Sequence, residues 1–359
     1  MTRSGLLLVD QLVRPVSGGI GVYITGVLQG LDQLGMDRNL ALLTSRTSAH
    51  IGPSSWLGTH VQTPLDYRLQ QRLWDLGWGV PRGNWSFYHA FSLGGPLLRM
   101  DMPQAVAVYD LLFRSEQETF PPRARAWHER RFAQVVASNA RVVTLATETG
   151  KLLVEAGVAA ERIAIIPPGV DHVPPADTVA TAKLLDDLGI AGRYLMVLGT
   201  VEPRKNLPRI LKAYQHYRAT AFDPVPLVIV GPKGWGPEIV PPRGAFIVGS
   251  VSSGVVAGLL ARALALVYVP LQEGFGLPVI EALAAAVPVV TAANIPAARF
   301  GGLGVEPKDV DAIAQAMEQI TSDDPLRSQL VTQGLLAVEG LSWVVAAQQH
   351  LRLWEELTA

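Results

Sequence analysis

The chain has 359 residues, which at about 100–200 residues per domain is enough for two domains with separate cores. Hydrophobic residues make up 49% and charged ones 17%, which excludes a disordered chain, and a net charge of −1 gives no global attraction for nucleic acid. The absence of cysteine excludes disulfides, thiolate metal sites and cysteine nucleophiles, and fits a reducing compartment.

The N-terminus, MTRSGLLLVDQLV, has an apolar core of only LLLV before Asp10, too short for the h-region of a signal peptide. GLLLVD (5–10) predicts the first strand. SGGIGVY (17–23) follows it as a glycine loop in which residue 24 is isoleucine, so the third glycine of a dinucleotide fingerprint is missing. Two readings stay open for it: close backbone approach to a phosphate or an acceptor, and a simple tight turn. NLALLTS (39–45), WSFYHAF (85–91), QAVAVYD (104–110), RVVTLAT (141–147) and RIAIIP (162–167) continue a series of near-continuous apolar runs. Such runs are buried on both faces, as in parallel sheets, with helices between them as right-handed crossovers.

PPRARAWHERRFAQVV (121–136) carries Arg123, Arg125, Arg130 and Arg131 around Trp127. It reads either as a basic amphipathic helix that docks on anionic lipid or as a solvated helix face. His89 and His128 have no partner visible in the sequence, and a core or surface role is expected for each. PPGVDHVPPADT (167–178), rich in proline and turn residues, predicts an interdomain linker extending to about residue 190. A second strand series follows: YLMVLGT (194–200), PLVIVG (226–231), AFIVGSV (245–251), ALVYVP (265–270) and VPVVTA (287–292), and SWVVAAQQHLRLWEEL (342–357) closes the chain as a helix. The expected layout is a first domain at 1–172, a linker at 173–190, a second domain at 191–341 and a terminal helix at 342–359, with a cleft between two doubly wound sheets. No uninterrupted apolar run of about 18 residues stands out, so a soluble or peripheral protein of the cytoplasm is expected.

Two stretches carry the chemistry. In GTVEPRKNLPRIL (199–211), Arg204 and Lys205 fall in the loop after a predicted strand, with Asn206 as cap of the next helix. Adjacent cations there suit a diphosphate and stabilise negative charge as a leaving group departs; a solvated loop is the alternative. In EGFGLPVIE (273–281), Pro278 suits a first helical position, which puts unpaired N–H groups near Gly276 and Leu277. Gly274 and Gly276 let the backbone approach a ligand. Glu273 and Glu281 would repel a phosphate unless they face hydroxyls, so the pair suggests a nucleotide sugar, one carboxylate on the hexose and one on the ribose. Alternatively Glu281, read as lying in the first turn, only complements the helix dipole.

GTVEPRKNL and YVPLQEGFGLPVIEALAAAVPVVTA resemble the retaining GT-B glycosyltransferases of the large family 4, the group 1 glycosyltransferases, whose signature is Glu, seven residues, Glu. SGGIGVY, IIPPGVD and EPKDVDAIAQAM (306–317) are similar to the family's layout, so the resemblance covers nearly the whole chain. It implies two Rossmann-like parallel-sheet domains facing a central cleft, an acceptor-binding first domain, a donor-binding second one, and a terminal helix crossing back to the first. It gives Arg204 and Lys205 to the donor diphosphate, Glu273 to the transferred sugar and Glu281 to the ribose. Gly274, Phe275, Gly276 and Leu277 would line sugar and phosphates, and Gly19 the diphosphate. It implies no metal and no cofactor beyond the nucleotide diphosphate sugar. The likeness to bacterial polysaccharide mannosyltransferases points to GDP-mannose, with glucose or a deoxysugar open, and the acceptor would be a saccharide or a lipid-linked one at the inner face of the membrane. The chain departs from the pattern twice: Tyr109-Asp110 stands where many members have His-Asp near the donor sugar, and Pro296-Ala297 where Pro-Glu is usual. A catalytically degenerate protein that binds nucleotide sugar as an assembly partner, and a nucleotide-sugar epimerase, are the alternatives.

Overall fold

The computed structural model describes residues 4–15, 17–79, 83–97 and 102–359. It divides into two compact units, one reaching Asp171 and taking back Leu341–Ala359, the other spanning His172–Gly340.

In the first unit the chain forms β1 (Ser4–Leu8), α1 (Gly18–Gln33), β2 (Leu40–Thr44), β3 (Thr59–Gln62), α2 (Tyr67–Asp75), β4 (Trp85–Ala90) and β5 (Gln104–Ala107). The short α3 (Leu112–Ser115), then α4 (Pro122–Val136), β6 (Arg141–Thr144), α5 (Thr147–Glu155) and β7 (Ile163–Ile165) complete the series. The sheet is parallel in the order β3-β2-β1-β4-β5-β6-β7. Leu7 lies opposite both Leu42 and His89, at the centre of the sheet, and all three are fully buried. All six predicted runs are strands. β3 is additional: its THVQ is mostly exposed at the sheet edge and offers no apolar run to read.

The second unit contains α6 (Thr178–Asp187), β8 (Leu195–Leu198), α7 (Leu207–Thr220), β9 (Leu227–Val230), β10 (Ala245–Gly249), α8 (Ser253–Arg262) and β11 (Ala265–Tyr268). After them come α9 (Leu277–Ala284), β12 (Val289–Ala292), β13 (Leu303–Val305), α10 (Val310–Ser322) and α11 (Asp324–Val338). Its parallel sheet runs β10-β9-β8-β11-β12-β13. The chain leaves β8 toward one edge and returns to the other side of β8 with β11, so the carboxyl ends of β8 and β11 form a switch point, where open α/β sheets hold ligands. In the first unit β1 and β4 stand in the same relation.

Residues 173–190, expected as linker, include α6, which belongs to the second unit. Asp177 caps it through Ala180 N–H, and it lies against α8, where the missing side chain of Gly258 leaves room for Thr181.

The last helix, α12 (Trp343–Thr358), joins the first unit by packing on α1. A Cβ at Gly26 would stand 2.1 Å from the Trp343 ring and one at Gly30 2.2 Å from the Trp343 carbonyl oxygen, so these two glycines, four residues apart on one helix face, make room for the indole and for the backbone of Trp343 respectively. Deeper in, the Tyr23 hydroxyl donates to Ile166 O at 3.1 Å and lies 2.9 Å from His350 Nε2. Trp354 Nε1 donates to His89 Nδ1 at 3.0 Å. His89 is thus a core residue, and burial drives both imidazoles toward the neutral form, His350 down to about 3 and His89 well below its usual value. An 18-residue window within Asp324–Thr358 reaches a mean hydropathy of 1.5, although polar and charged residues interrupt it. The fold breaks that stretch into α11 and α12 at residues 339–342.

Gly30→Val drives a branched side chain into the backbone of Trp343. The expected cost is about 1–3 kcal/mol, read as a lower thermal midpoint with earlier exposure of tryptophan to solvent; an unchanged midpoint would show that α12 does not depend on this seat.

Candidate active site

In the second unit β8 ends at Leu198, and a single 3₁₀ turn, Pro203–Lys205, carries the basic pair. Asn206 follows in the left-handed region at φ 62°, which asparagine tolerates better than most residues. It does not cap α7 with its side chain, contrary to the expectation from sequence. Its Nδ2 instead donates to Val269 O at 3.1 Å and Pro307 O at 2.6 Å, and its Oδ1 accepts from Arg209. The buried amide therefore ties the loop after β8 to the loop after β11.

That tie brings the charged groups together. Glu273, from the loop after β11, accepts at one oxygen from Arg204 Nη1 at 2.5 Å and from Lys205 Nζ. Arg204 Nη2 also donates to Glu202 at 2.6 Å, and Lys205 Nζ to the Tyr268 hydroxyl at 2.8 Å. Burial by itself raises the Glu273 pKa, but the Lys205 and Arg204 charges outweigh it and hold the carboxyl below its usual range. Burial, then the Glu273 charge, keeps Tyr268 protonated far above its ordinary value. Glu202 and Tyr268 complete a cluster of two cations, two carboxylates and a phenol.

The Gly-Phe-Gly turn follows. Phe275 is 3% exposed with its ring near Phe300, so it anchors the turn in the core. Gly276 precedes α9 at φ 107°, and a Cβ there would lie 3.0 Å from both Ala297 and Ile295. Ala297 is fully buried and donates its N–H to Phe275 O at 2.9 Å, so the residue that departs from the family's Pro-Glu supports this turn from below. α9 begins at Leu277, one residue earlier than expected, with Pro278 second. Glu281 is therefore in its second turn, not its first, and the unpaired N–H groups of the helix end do not reach it. Its partner is His172, whose Nε2 lies 3.0 Å from Glu281 Oε1.

In the first unit Gly19 is not in a loop: it lies exposed in the first turn of α1, after Gly18 at φ 59°. A cavity of about 130 Å³ opens at the switch point between β1 and β4, lined by Gln11, Arg14, Tyr109, Asp110, Trp127 and His128 among others. Tyr109 donates to Phe91 O at 2.9 Å, and burial pushes its pKa up, so it stands as a neutral hydrogen-bond donor already engaged. Asp110 Oδ1 accepts from Leu112 N–H and fixes the start of α3. His128 Nδ1 lies 2.8 Å from Ala124 O, which can only accept, so Nδ1 carries the proton and Nε2 presents a lone pair when the ring is neutral.

The structure thus brings Arg204, Lys205 and Glu273 into one cluster and sets Gly274 to Leu277 beside it, while Gly19, Tyr109 and Asp110 belong to the other unit. Glu202, Tyr268, His172, Arg14 and His128 were not singled out as site residues by sequence; only the strand-end position of Tyr268 and the place of Glu202 beside Arg204-Lys205 offered a signal. No group of three His, Asp or Glu able to hold a metal occurs among the described residues.

Residues 190–335 match the family Glycosyl transferases group 1. That match lies within the second unit. The chain is 33% identical over 175 residues to O-antigen chain mannosyltransferase B of Escherichia coli, covering 46% of each chain. Further curated relatives are mannosyltransferases as well. The chain spans about half the length of the curated relatives it matches, 46% and 61% for two of them. Whole-chain likeness in fold is high at low identity: a sucrose-phosphate synthase from Thermosynechococcus elongatus aligns with TM-score 0.78 at 18% identity over 99% of both chains. An Anabaena protein, HepE, in complex with UDP and glucose aligns with TM-score 0.70 at 13% identity over 99% of this chain and 100% of that one. The fold class is GT-B, two Rossmann-like parallel-sheet domains.

A carboxylate whose folded pKa is depressed stabilises the fold above its unfolded value, about 4.3 for glutamate, and loses that contribution as pH falls through the folded value. Glu273→Gln should lower the thermal midpoint at pH 7 and flatten its fall below about pH 4.3. Parallel pH profiles for both proteins would show that the pairing adds nothing to stability.

Proposed function

We propose that the protein is a retaining hexosyltransferase that moves a hexose, mannose in the first instance, from a nucleoside diphosphate sugar to a hydroxyl of a saccharide or lipid-linked acceptor in glycan biosynthesis. The observation that carries this reading is the Arg204–Lys205–Glu273 cluster at the β8/β11 switch point, next to the amino end of α9. In this reading Lys205, Arg204 and the N–H groups at Gly276 and Leu277 receive the diphosphate. As the bond from the anomeric carbon to the diphosphate oxygen breaks, these groups stabilise the developing negative charge on the leaving group. The acceptor hydroxyl attacks the same face of the cation-like sugar and passes its proton to the departing diphosphate oxygen, which accounts for retention. Glu273 Oε1 holds both cations in place, and its second oxygen orients the hexose hydroxyls. Glu281 holds the ribose. No metal or further cofactor is invoked, because two cations already face the diphosphate.

Mannose rests on the mannosyltransferase relatives, and the nucleotide donor on the cluster together with the UDP and glucose in HepE. The cavity between β1 and β4 is the proposed acceptor seat, with Asp110 and His128 Nε2 as its polar contacts. A cytoplasmic location, with peripheral contact at the inner face of the membrane through residues 121–136, belongs to the same reading. The arginines of that helix are not equivalent for this purpose. Arg131 is 3% exposed and donates to the carbonyls of Leu93, Gly95 and Trp74, which leaves Arg123, Arg125 and Arg130 nearer the surface.

A second reading, binding of nucleotide sugar without turnover, draws on Tyr109, whose hydroxyl is committed to Phe91 O where the family has an imidazole. Turnover separates the two. Lys205→Ala should lower the turnover number by about 10²–10³ with a folded protein and a smaller loss of nucleotide affinity; near-normal turnover would defeat the assignment. Among UDP, GDP, dTDP and ADP in a thermal-shift experiment, GDP should give the largest stabilisation. No stabilisation by any of them at millimolar concentration would count against a donor site at this cluster.

A further inference from the structure

We infer that His172 is a positioning residue that aims the Glu281 carboxylate at the paired hydroxyls of the donor ribose, an inference that rests on the ribose reading of Glu281 given above. His172 opens the second unit, and its Nε2 reaches across 109 residues of sequence to Glu281 Oε1 at 3.0 Å, with both side chains only 15% exposed. Because Glu281 stands in the second turn of α9, the helix end neither binds nor orients it. A glutamate carboxylate on three rotatable bonds has many orientations to lose, and one donor from an imidazole removes most of that freedom.

The chemistry of the pair suits a vicinal diol. An ionised carboxylate has about four lone-pair sites on two oxygens. His172 takes one, on Oε1, and Oε2 has no hydrogen bond among the described residues. Lysine or arginine in the same place would bring a permanent charge and several donors that compete with the sugar, whereas imidazole Nε2 supplies a single N–H.

The test is calorimetric titration of the full-length protein with UDP and GDP and with their 2′,3′-dideoxy counterparts. The wild-type protein should prefer the ribose form by about ten-fold or more, the effect of hydrogen bonds to a charged acceptor. His172→Leu should reduce that preference to within about three-fold by weakening binding of the ribose form alone. His172→Gln, which restores an N–H donor, should recover most of it. If His172→Leu keeps the wild-type preference while Glu281→Ala abolishes it, the positioning role is wrong and the ribose assignment stands. If Glu281→Ala keeps the preference as well, the ribose assignment itself is wrong. Equal weakening of ribose and dideoxy forms by His172→Leu would mark a merely structural contact and overturn the proposal.

Discussion

Parallel strands buried on both faces have no room for charge along their length, and the charged groups of the candidate site are forced to the strand ends. In the second unit LMVL, LVIV, ALVY and VVTA are almost entirely buried. Arg204, Lys205, Glu202 and Glu273 then gather where β8 and β11 finish, none with a side chain more than 20% exposed. Largely buried charges of this kind must find partners, because desolvation penalises each alone. Their mutual pairing gives the loops a defined geometry, and the Asn206 amide sets the distance between the two loops that supply them.

The strands were legible in the sequence for the same reason. Long apolar runs bounded by glycine and proline occur wherever a strand lies inside a parallel sheet, and β3 and β13 escaped because short edge strands need no such run. The charged motif was also legible: Arg204-Lys205 and the Glu273 to Glu281 spacing stand out without any structure. What sequence could not supply was pairing. Nothing in the string links His172 to Glu281 or Asn206 to Pro307, since those contacts are made by segments that meet only after the sheet has formed. Helix phase was the other gap. A shift of one residue in the start of α9 moves Glu281 across the boundary between a carboxylate that answers a helix dipole and one that needs a side-chain partner.

The first unit repeats the topology with different chemistry. Its switch point carries a cavity lined by Arg14, Trp127, His128 and Asp110 and, among the described residues, no compact ion cluster. The Tyr109 hydroxyl is spent on Phe91 O, and the imidazole that lines this cavity comes from α4. The helix read from sequence as a lipid-facing or solvated surface therefore has a third face, turned inward, on which Trp127, His128 and Arg131 are held by Asp75, Ala124 and the carbonyls of Leu93 and Gly95.

Synthesis on the ribosome runs against the order in which the two units are completed. The first unit ends with residues 341–359, which are made only after the whole of His172–Gly340. Domains usually fold as units in the order they are synthesised, but here the second unit has all its parts first. Until Trp343 arrives, the Gly26 and Gly30 stripe on α1 has no cover, and Tyr23 and His89 lack His350 and Trp354. The N-terminal half of the nascent chain must therefore wait, incomplete and with an apolar groove open to solvent, for the final helix to seal it.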